Sequence, residues 1–272
     1  MSTTIAQTMS FEIKLLKALV RWPIRLIDAV GAAVLFASQA LLASVRPPYR
    51  YSNYIAIFEF VGVGSLGIVL LTGAFTGAVF AIQTAIAFEL FNAKSLIGGS
   101  VAMALLRELA PSMGALMVAG RVGSAMCTEL GTMRVTEQID ALETMAVDPV
   151  HYLVAPRIIA CTLMMPMLAV CFAAIGLAGA WVVSTQLLGI DTQSFLSRIV
   201  LWVRPSDVLC TVVKGTFFGL IIGSIASWRG FLATGGSRGV GLATTSTVVT
   251  SSVTILLVDY LITSVWLQVF KR

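Results

Sequence analysis

Charged residues are scarce in this chain of 272 residues. They make up 11% of it, whereas 58% is hydrophobic and the mean hydropathy is +0.94. A soluble domain carries roughly 25% charged residues, so this composition excludes an ordinary soluble protein and predicts an integral membrane protein. The apolar stretches do not alternate with a period of two residues, which excludes a membrane β-barrel and predicts an all-α fold.

Catalytic and metal-binding patterns are also missing. The single histidine, His151, has no evident arrangement of carboxylates or cysteines near it, and the four cysteines lack the spacing of a metal site. Small cysteines are ordinary in apolar helices. We therefore expect no catalytic residue, no metal and no cofactor, although an intramembrane enzyme remains open as an alternative.

Two glycine-rich segments match nucleotide-binding motifs only by their letters. Gly62–Gly67 fits the dinucleotide pattern, but it lies inside an apolar run without a βαβ unit. Residues 235–241 lack the Gly-Lys-Ser/Thr sequence of a phosphate loop and are expected to form a flexible connection. The chain is therefore not expected to bind ATP itself.

Other glycines are spaced for close contact between membrane helices. Gly73 and Gly77 are separated by three residues, and so are Gly219 and Gly223. Glycine at this spacing lets two helix backbones approach closely in lipid. Both pairs are therefore predicted to lie at helix contacts.

Five apolar regions within a membrane domain of residues 51–272 are long enough to cross a bilayer as helices. A crossing needs about 20 mostly apolar residues, and several regions exceed this length, which predicts tilt, kinks or protrusion. The predicted spans are 55–88, 97–126, 154–188, 207–228 and 244–270.

The N-terminal region, residues 1–50, has a different pattern. Residues 11–29 combine a narrow polar stripe with a broad apolar face, which predicts an amphipathic helix in the lipid headgroup layer. A signal peptide is the alternative, although charges throughout the stretch leave no separate n-region and h-region. Residues 30–45 are apolar but short, and we expect a shallow or re-entrant continuation. The polar stripe consists of Lys14, Lys17, Arg21, Arg25 and Asp28.

Basic residues predict the orientation of the five spans. If the N-terminus is cytoplasmic, most lysines and arginines fall on or near the inner side, in line with the positive-inside rule. Lys271 and Arg272 at an external C-terminus are an objection to this orientation. The net charge of +5 is then explained by an anionic inner leaflet, and nucleic acid is not expected as a partner.

One long segment between the second and third spans is polar. Residues 128–148 are predicted to form a single amphipathic helix that ends before Pro149. Such a helix between two membrane spans is expected to bind a soluble partner on the cytoplasmic side. Its apolar stripe consists of Val135, Ile139, Leu142 and Ala146, and its charged residues are Glu129, Arg134, Glu137, Asp140, Glu143 and Asp148.

Four of the ionisable residues inside predicted spans are candidates for a polar cluster, because charge there is costly and usually faces a partner or a cavity. Arg107 and Glu108 are adjacent in the second span, Lys214 is in the fourth and Asp259 is in the fifth. We expect Lys214 to lie beside Glu108 or Asp259, because their depths in the membrane are compatible. The cluster would suit the charged head of an amphiphile, or it would form an ion-pair network that only holds helices together.

A family resemblance is carried by three blocks of sequence. They are Leu106-Arg-Glu-Leu-Ala-Pro111, Ala119-Gly-Arg-Val-Gly-Ser-Ala125 and the segment from Glu129 to Pro149. In this order they closely resemble the MlaE (YrbE) family of lipid ABC transporter permeases. The likeness covers most of the chain after residue 54, with a further matching block at residues 244–259. The first 50 residues match only in character.

The resemblance implies a homodimeric permease of the bacterial inner membrane, with an interfacial N-terminal helix and five spans per subunit. Its implied partners are a cytoplasmic ABC ATPase that binds the ATP, a periplasmic Mce-domain protein and often a small STAS-domain subunit. The implied activity is phospholipid transport between the inner and outer membranes. A membrane scaffold or an intramembrane enzyme remains the alternative function.

The resemblance also implies roles for particular residues. The 128–148 segment resembles the family's coupling helix, with Ile139 and Leu142 as apolar anchors in a groove of the ATPase. The implied coupling residues are Glu129, Arg134, Glu137, Ile139, Asp140, Leu142 and Glu143. An outward-facing lipid cavity would be lined by Arg107, Glu108 and Lys214, with Phe80, Phe88 and Phe91 as part of its wall. The loop from Phe88 to Ser100 departs from the family pattern.

Overall fold

The computed structural model of the chain describes residues 31–44, 51–91 and 93–269. All regular structure in these ranges is helical, which confirms the predicted all-α fold. Five helical segments are long and apolar enough to cross a membrane, as the hydropathy pattern predicts. The predicted interfacial helix at residues 11–29 lies outside the described residues.

Each membrane-spanning segment extends past its predicted limit at one or both ends. The first comprises α2 and α3, and the others are α4, α6, α8 and α9. α4 contains two π-helical turns, Leu105–Leu109 and Ala119–Gly123. The helices are α1 (Gly31–Ser44), α2 (Tyr51–Val61), α3 (Val63–Glu89), α4 (Ile97–Val135), α5 (Gln138–Thr144), α6 (Val150–Gln186), α7 (Thr192–Trp202), α8 (Pro205–Phe231) and α9 (Gly236–Val269).

The five segments are joined by links at alternating ends of the bundle. α5 lies in the link between α4 and α6, and the α8–α9 link lies at this same end, which we call the α5 end. α7 lies between α6 and α8 at the opposite end, the α7 end, together with the α3–α4 link. Within the bundle, α6 packs against α3 and α8, and α8 packs against α9.

Glycine allows very close contacts between these helices. A Cβ atom at Gly77 of α3 would come within 1.8 Å of the Gly176 carbonyl oxygen in α6. A Cβ atom at Gly219 of α8 would come within 2.2 Å of the Cys161 carbonyl oxygen, also in α6. Because any side chain at these positions would push the helices apart, the predicted helix contacts at both glycine pairs are confirmed.

The predicted flexible connection at residues 235–241 is wrong. Gly235 and Gly236 have left-handed backbone angles, with φ of +90° and +68°, and α9 already begins at Gly236. The two glycines make the turn between α8 and α9, because this conformation is costly for residues with a side chain. The rest of the segment is helical.

The polar segment 128–148 is not one helix, contrary to the prediction. α4 and α5 are separate, and Glu137 between them adopts a left-handed conformation with φ of +61°. This break lets the chain fold back, so that Ile139 packs against Leu130 and Leu153 in a small core. Burial of the isoleucine within the subunit outweighs the propensity for a continuous helix.

The α7 helix is absent from the sequence-based prediction. Its first turn is capped by Asp191, whose side chain accepts a hydrogen bond from the Ser194 backbone nitrogen at 2.9 Å. Phe195 is buried in a core cluster with Ala81 of α3 and Ile97 of α4. This short amphipathic helix is therefore part of the bundle and covers the α7 end of α4.

The apolar segment before the first span forms α1, which is shorter than a membrane crossing requires. Its Phe36 and Ala40 side chains pack with Val154 and Ile158 of α6. α1 is thus attached to the bundle at the α5 end, and its depth in the membrane stays a prediction.

The close approach of α3 and α6 predicts a strong difference between two glycines of α3. Gly77→Ala is expected to destabilise the protein by about 1–3 kcal/mol, because the added methyl group overlaps the Gly176 backbone. Gly67→Ala is the matched control, since a Cβ atom there has no neighbour within 4 Å. Thermal unfolding of the purified protein measures the stability of both variants, and equal stability would contradict this helix contact.

Candidate functional site

Two consecutive ionisable residues of α4 form ion pairs with α8 inside the bundle. The Arg107 Nε atom lies 2.7 Å from the Asp207 Oδ1 atom, and the Glu108 Oε2 atom lies 2.7 Å from the Lys214 Nζ atom. Asp207 and Lys214 are seven residues apart, which places them on the same face of α8. The π turn Leu105–Leu109 presents both α4 residues to that face, and such turns are frequent at functional sites.

Lys214 is the centre of this cluster and is fully buried. Besides Glu108, its Nζ atom contacts the Arg107 carbonyl oxygen, the Thr263 hydroxyl and the Asp259 Oδ1 atom, each at 2.8 Å. The three ammonium protons are therefore shared among four acceptors from α4 and α9. The prediction that Lys214 lies beside Glu108 or Asp259 is confirmed for both carboxylates.

Asp207 and Thr263 are two members of the cluster that the sequence analysis did not identify. Asp207 is fully buried, and besides pairing with Arg107 it accepts a hydrogen bond from the Arg204 backbone nitrogen at 2.8 Å. An acid in the first helical turn after Pro205 is a signal for a helix start, and it marks Asp207. No comparable signal distinguishes Thr263 from the other threonines of the spans.

A cavity of about 400 Å³ opens beside the cluster, near the α7 end. Arg107 and Glu108 contribute its charged lining, with side chains that are 35% and 43% exposed. Its apolar wall includes Met103, Ala104, Trp202, Trp266 and Leu267. Lys214 does not line the cavity, contrary to the prediction, because it is buried behind Glu108.

The predicted phenylalanine wall is not part of this cavity. Phe80 lines a separate, more open depression of about 360 Å³ on α3. Phe88 packs against the core cluster around Phe195, and Phe91 is 77% exposed. The physical reason is that the charged residues of α4 face α8 and α9, whereas the three phenylalanines belong to α3 and the link that follows it.

The α5 end holds a second group of charged residues, which are the predicted coupling residues. The Glu129 carboxylate lies 2.9 Å from the guanidinium of Arg157, whose side chain is 5% exposed. Arg134 bridges the break between α4 and α5 by an ion pair of 2.5 Å with Asp140. The Arg134–Asp140 pair fixes α5 against the end of α4, whereas the Glu129–Arg157 pair joins α4 to α6.

The predicted apolar anchors of α5 face inwards. Ile139 is fully buried in its own subunit and Leu142 is partly buried against the same core, so the prediction that they insert into an ATPase groove is wrong for Ile139. The exposed outer side of α5 instead presents Glu137, Glu143 and the 64% exposed Met145.

Removal of the buried ammonium is expected to destabilise the protein. Lys214→Met leaves Glu108 and Asp259 without their shared partner, and losing one side of a buried ion pair costs about 3–5 kcal/mol. Thermal unfolding of the purified protein measures the loss. Asp259→Asn in the Lys214→Met background should recover part of it, since one stranded carboxylate becomes neutral. A Lys214→Met protein as stable as the wild type would contradict the role of this cluster.

Comparison with known proteins agrees with this architecture. Residues 54–265 of the chain match the protein family described as Permease MlaE. A probable ABC transporter permease protein of Rickettsia bellii is 41% identical over 90% of this chain and 95% of its own length. The chloroplastic protein TRIGALACTOSYLDIACYLGLYCEROL 1 of Arabidopsis thaliana is 37% identical over 86% of this chain and 67% of its own length.

A third relative has a more specific description. The intermembrane phospholipid transport system permease protein MlaE of Haemophilus influenzae is 36% identical over 93% of this chain and 97% of its own length. The family match covers the five spans, the charged cluster and α5 together. The chain therefore belongs to the MlaE permease family and is a multi-pass membrane permease.

Proposed function

We propose that this chain is the membrane-spanning subunit of an ATP-driven transporter that moves phospholipid between the inner and outer membranes. The observation that carries the proposal is the cavity beside the charged cluster, in which Arg107 and Glu108 are exposed between apolar walls. A phospholipid has the same division into a charged head and apolar tails. The role described for the Haemophilus influenzae relative supports the proposal.

An ion-pair network that only holds helices together would not need this exposure. Asp207, Lys214 and Asp259 are buried or nearly so and serve that structural purpose. Arg107 and Glu108 are paired as well, yet their side chains remain 35% and 43% exposed in a largely apolar cavity, where an exposed charge is costly. Binding of a charged headgroup would explain why Arg107 and Glu108 are exposed at the cavity.

The proposed energy source is a separate cytoplasmic ABC ATPase that docks at the α5 end. Support comes from the fixed position of α5 and from its exposed acidic side, which a basic groove would complement. The subunit is proposed to act as a homodimer in the bacterial inner membrane, with a periplasmic Mce-domain protein at the α7 end and a STAS-domain subunit as a further partner. ATP is bound by the ATPase, and the permease needs no cofactor.

The proposed orientation places the α5 end in the cytoplasm, together with the N-terminus. At that end lie Arg134 and Arg157, and Arg229 and Arg238 flank the α8–α9 link. The positive-inside rule favours this arrangement. The cavity then lies in the outer half of the membrane, where a periplasmic partner could receive or deliver lipid.

Filling the cavity should abolish transport without dissociating the complex. Ala104→Trp places an indole ring in a cavity of about 400 Å³, and loss of at least tenfold in lipid transfer between vesicles is expected. Val182→Trp on the 48% exposed surface of α6 is the control for the size of the new side chain. Normal lipid transfer by Ala104→Trp in the reconstituted transporter would refute the cavity as the lipid site.

Docking of the ATPase should depend on the outer side of α5. Met145→Asp is expected to reduce ATPase capture strongly, because an apolar contact is replaced by a charge, and Glu143→Lys should reduce it less and in a salt-dependent way. Co-purification at low and high salt measures both effects. Ile139→Ala should instead lower the stability of the permease, since this side chain is buried in its own subunit.

Glu89→Lys is the control for the change of charge, since Glu89 lies at the α7 end in an exposed ion pair with Lys94. It should leave ATPase capture unchanged. Full capture by Met145→Asp and Glu143→Lys would mean that the ATPase binds elsewhere on the subunit.

A further inference from the structure

The charged cluster beside the cavity contains more carboxyl groups than basic groups. It contains two basic side chains, Arg107 and Lys214, and three carboxylates, which belong to Glu108, Asp207 and Asp259. Asp207 is fully buried on Arg107, and the Asp259 side chain is only 15% exposed. Glu108 is therefore the carboxylate of the cluster that is most accessible from the cavity, since its side chain is 43% exposed and lines it.

Two tryptophans line the same cavity as this carboxylate. Trp202 comes from the end of α7 and Trp266 from α9. The Trp202 indole packs closely against α4, since a Cβ atom at Gly99 would come within 2.7 Å of it. Tryptophan faces attract ammonium groups more strongly than other aromatic rings do, and a nearby carboxylate adds direct charge attraction. Glu108 and the two indoles together form the chemistry of an ammonium site.

Arg107 supplies the complementary half of the site. Its Nε atom is occupied by Asp207, but a guanidinium has five N–H donors, and the side chain is 35% exposed at the cavity. The remaining donors suit the oxygens of a phosphate, which arginine binds in a bidentate manner. Because Arg107 and Glu108 are consecutive, a phosphate and an ammonium group bound to them would lie close together.

We propose that this cavity selects zwitterionic phospholipids, in which a short linker joins the phosphate to an ammonium group, over anionic phospholipids. Arg107 binds the phosphate, while Glu108, Trp202 and Trp266 bind the ammonium group. An anionic headgroup would instead place its uncharged or negative end against the Glu108 carboxylate, which favours it less than an ammonium group. The inference rests on the proposed function and adds the headgroup class to it.

The ratio of bound lipids tests the selectivity. The assembled transporter is reconstituted in vesicles of equal parts phosphatidylethanolamine and phosphatidylglycerol, purified again, and its bound lipid is quantified by mass spectrometry. We expect enrichment of phosphatidylethanolamine by roughly threefold or more over the bilayer. Glu108→Gln, which keeps the size of the side chain and its hydrogen-bonding oxygen, should return the ratio to that of the bilayer.

Two further variants separate selectivity from folding. Glu89→Gln removes an exposed carboxylate at the α7 end that does not line the cavity, and it should keep the enrichment of the wild type. Trp266→Leu leaves every ion pair of the cluster in place and should lower the enrichment on its own. If Glu108→Gln does not fold, the enrichment measured for Trp266→Leu alone tests the ammonium site.

The outcomes distinguish this inference from the proposed function. Bound lipid in the bilayer ratio, with normal lipid transfer by the wild type, would overturn the selectivity and leave transport standing. Unchanged enrichment in both Glu108→Gln and Trp266→Leu would overturn the assignment of the ammonium site. Absence of both bound lipid and lipid transfer in the wild type would overturn the proposed function itself.

Discussion

An ammonium group is costly to leave unpaired inside a lipid bilayer, and Lys214 meets this constraint by joining three helices. Its Nζ atom lies 2.7 Å from Glu108 on α4 and 2.8 Å from Asp259 on α9, so α8 cannot slide along either neighbour without separating opposite charges. Apolar contacts specify register less strictly, because lipid tails are as apolar as the helix surfaces. The charge pairs therefore set the register of α4, α8 and α9 and define the cavity beside them.

Glycine contacts and charge pairs occupy different faces of α8. Gly219 allows close backbone contact with α6, which in turn approaches α3 at Gly77. Asp207 and Lys214 pair with α4 and α9 instead. One side of the bundle is thus held by close backbone packing without charge, while the other side is polar enough to accommodate a headgroup. This separation explains how a chain with so few charged residues can form a polar site within the membrane.

Much of this arrangement can be predicted from the sequence. In a membrane protein, buried charges indicate ion-pair partners and small residues indicate close helix contacts. The five spans, both glycine contacts and the partners of Lys214 are predicted correctly from hydropathy, spacing and the cost of charge. The helix break at Glu137 is not predicted from the sequence, because the apolar stripe through Ile139 fits a docking surface and an internal core equally well. Arg107 and Glu108 line the cavity as predicted, but its apolar wall is not predicted, since it depends on which way the π turn of α4 directs its side chains.

α4 connects the two regions to which a function is proposed, the cavity and the α5 end. Near the α7 end, its first π turn carries Arg107 and Glu108 beside the cavity. Its second π turn carries Arg121, which donates a hydrogen bond of 2.8 Å to the Ser65 hydroxyl beside the α2–α3 break. The same helix then ends at α5, where Arg134 pairs with Asp140. If the proposed ATPase displaced α5, it would therefore act on one helix that also positions the cavity charges. The two π turns are the places where the regular hydrogen bonding of that helix is already interrupted.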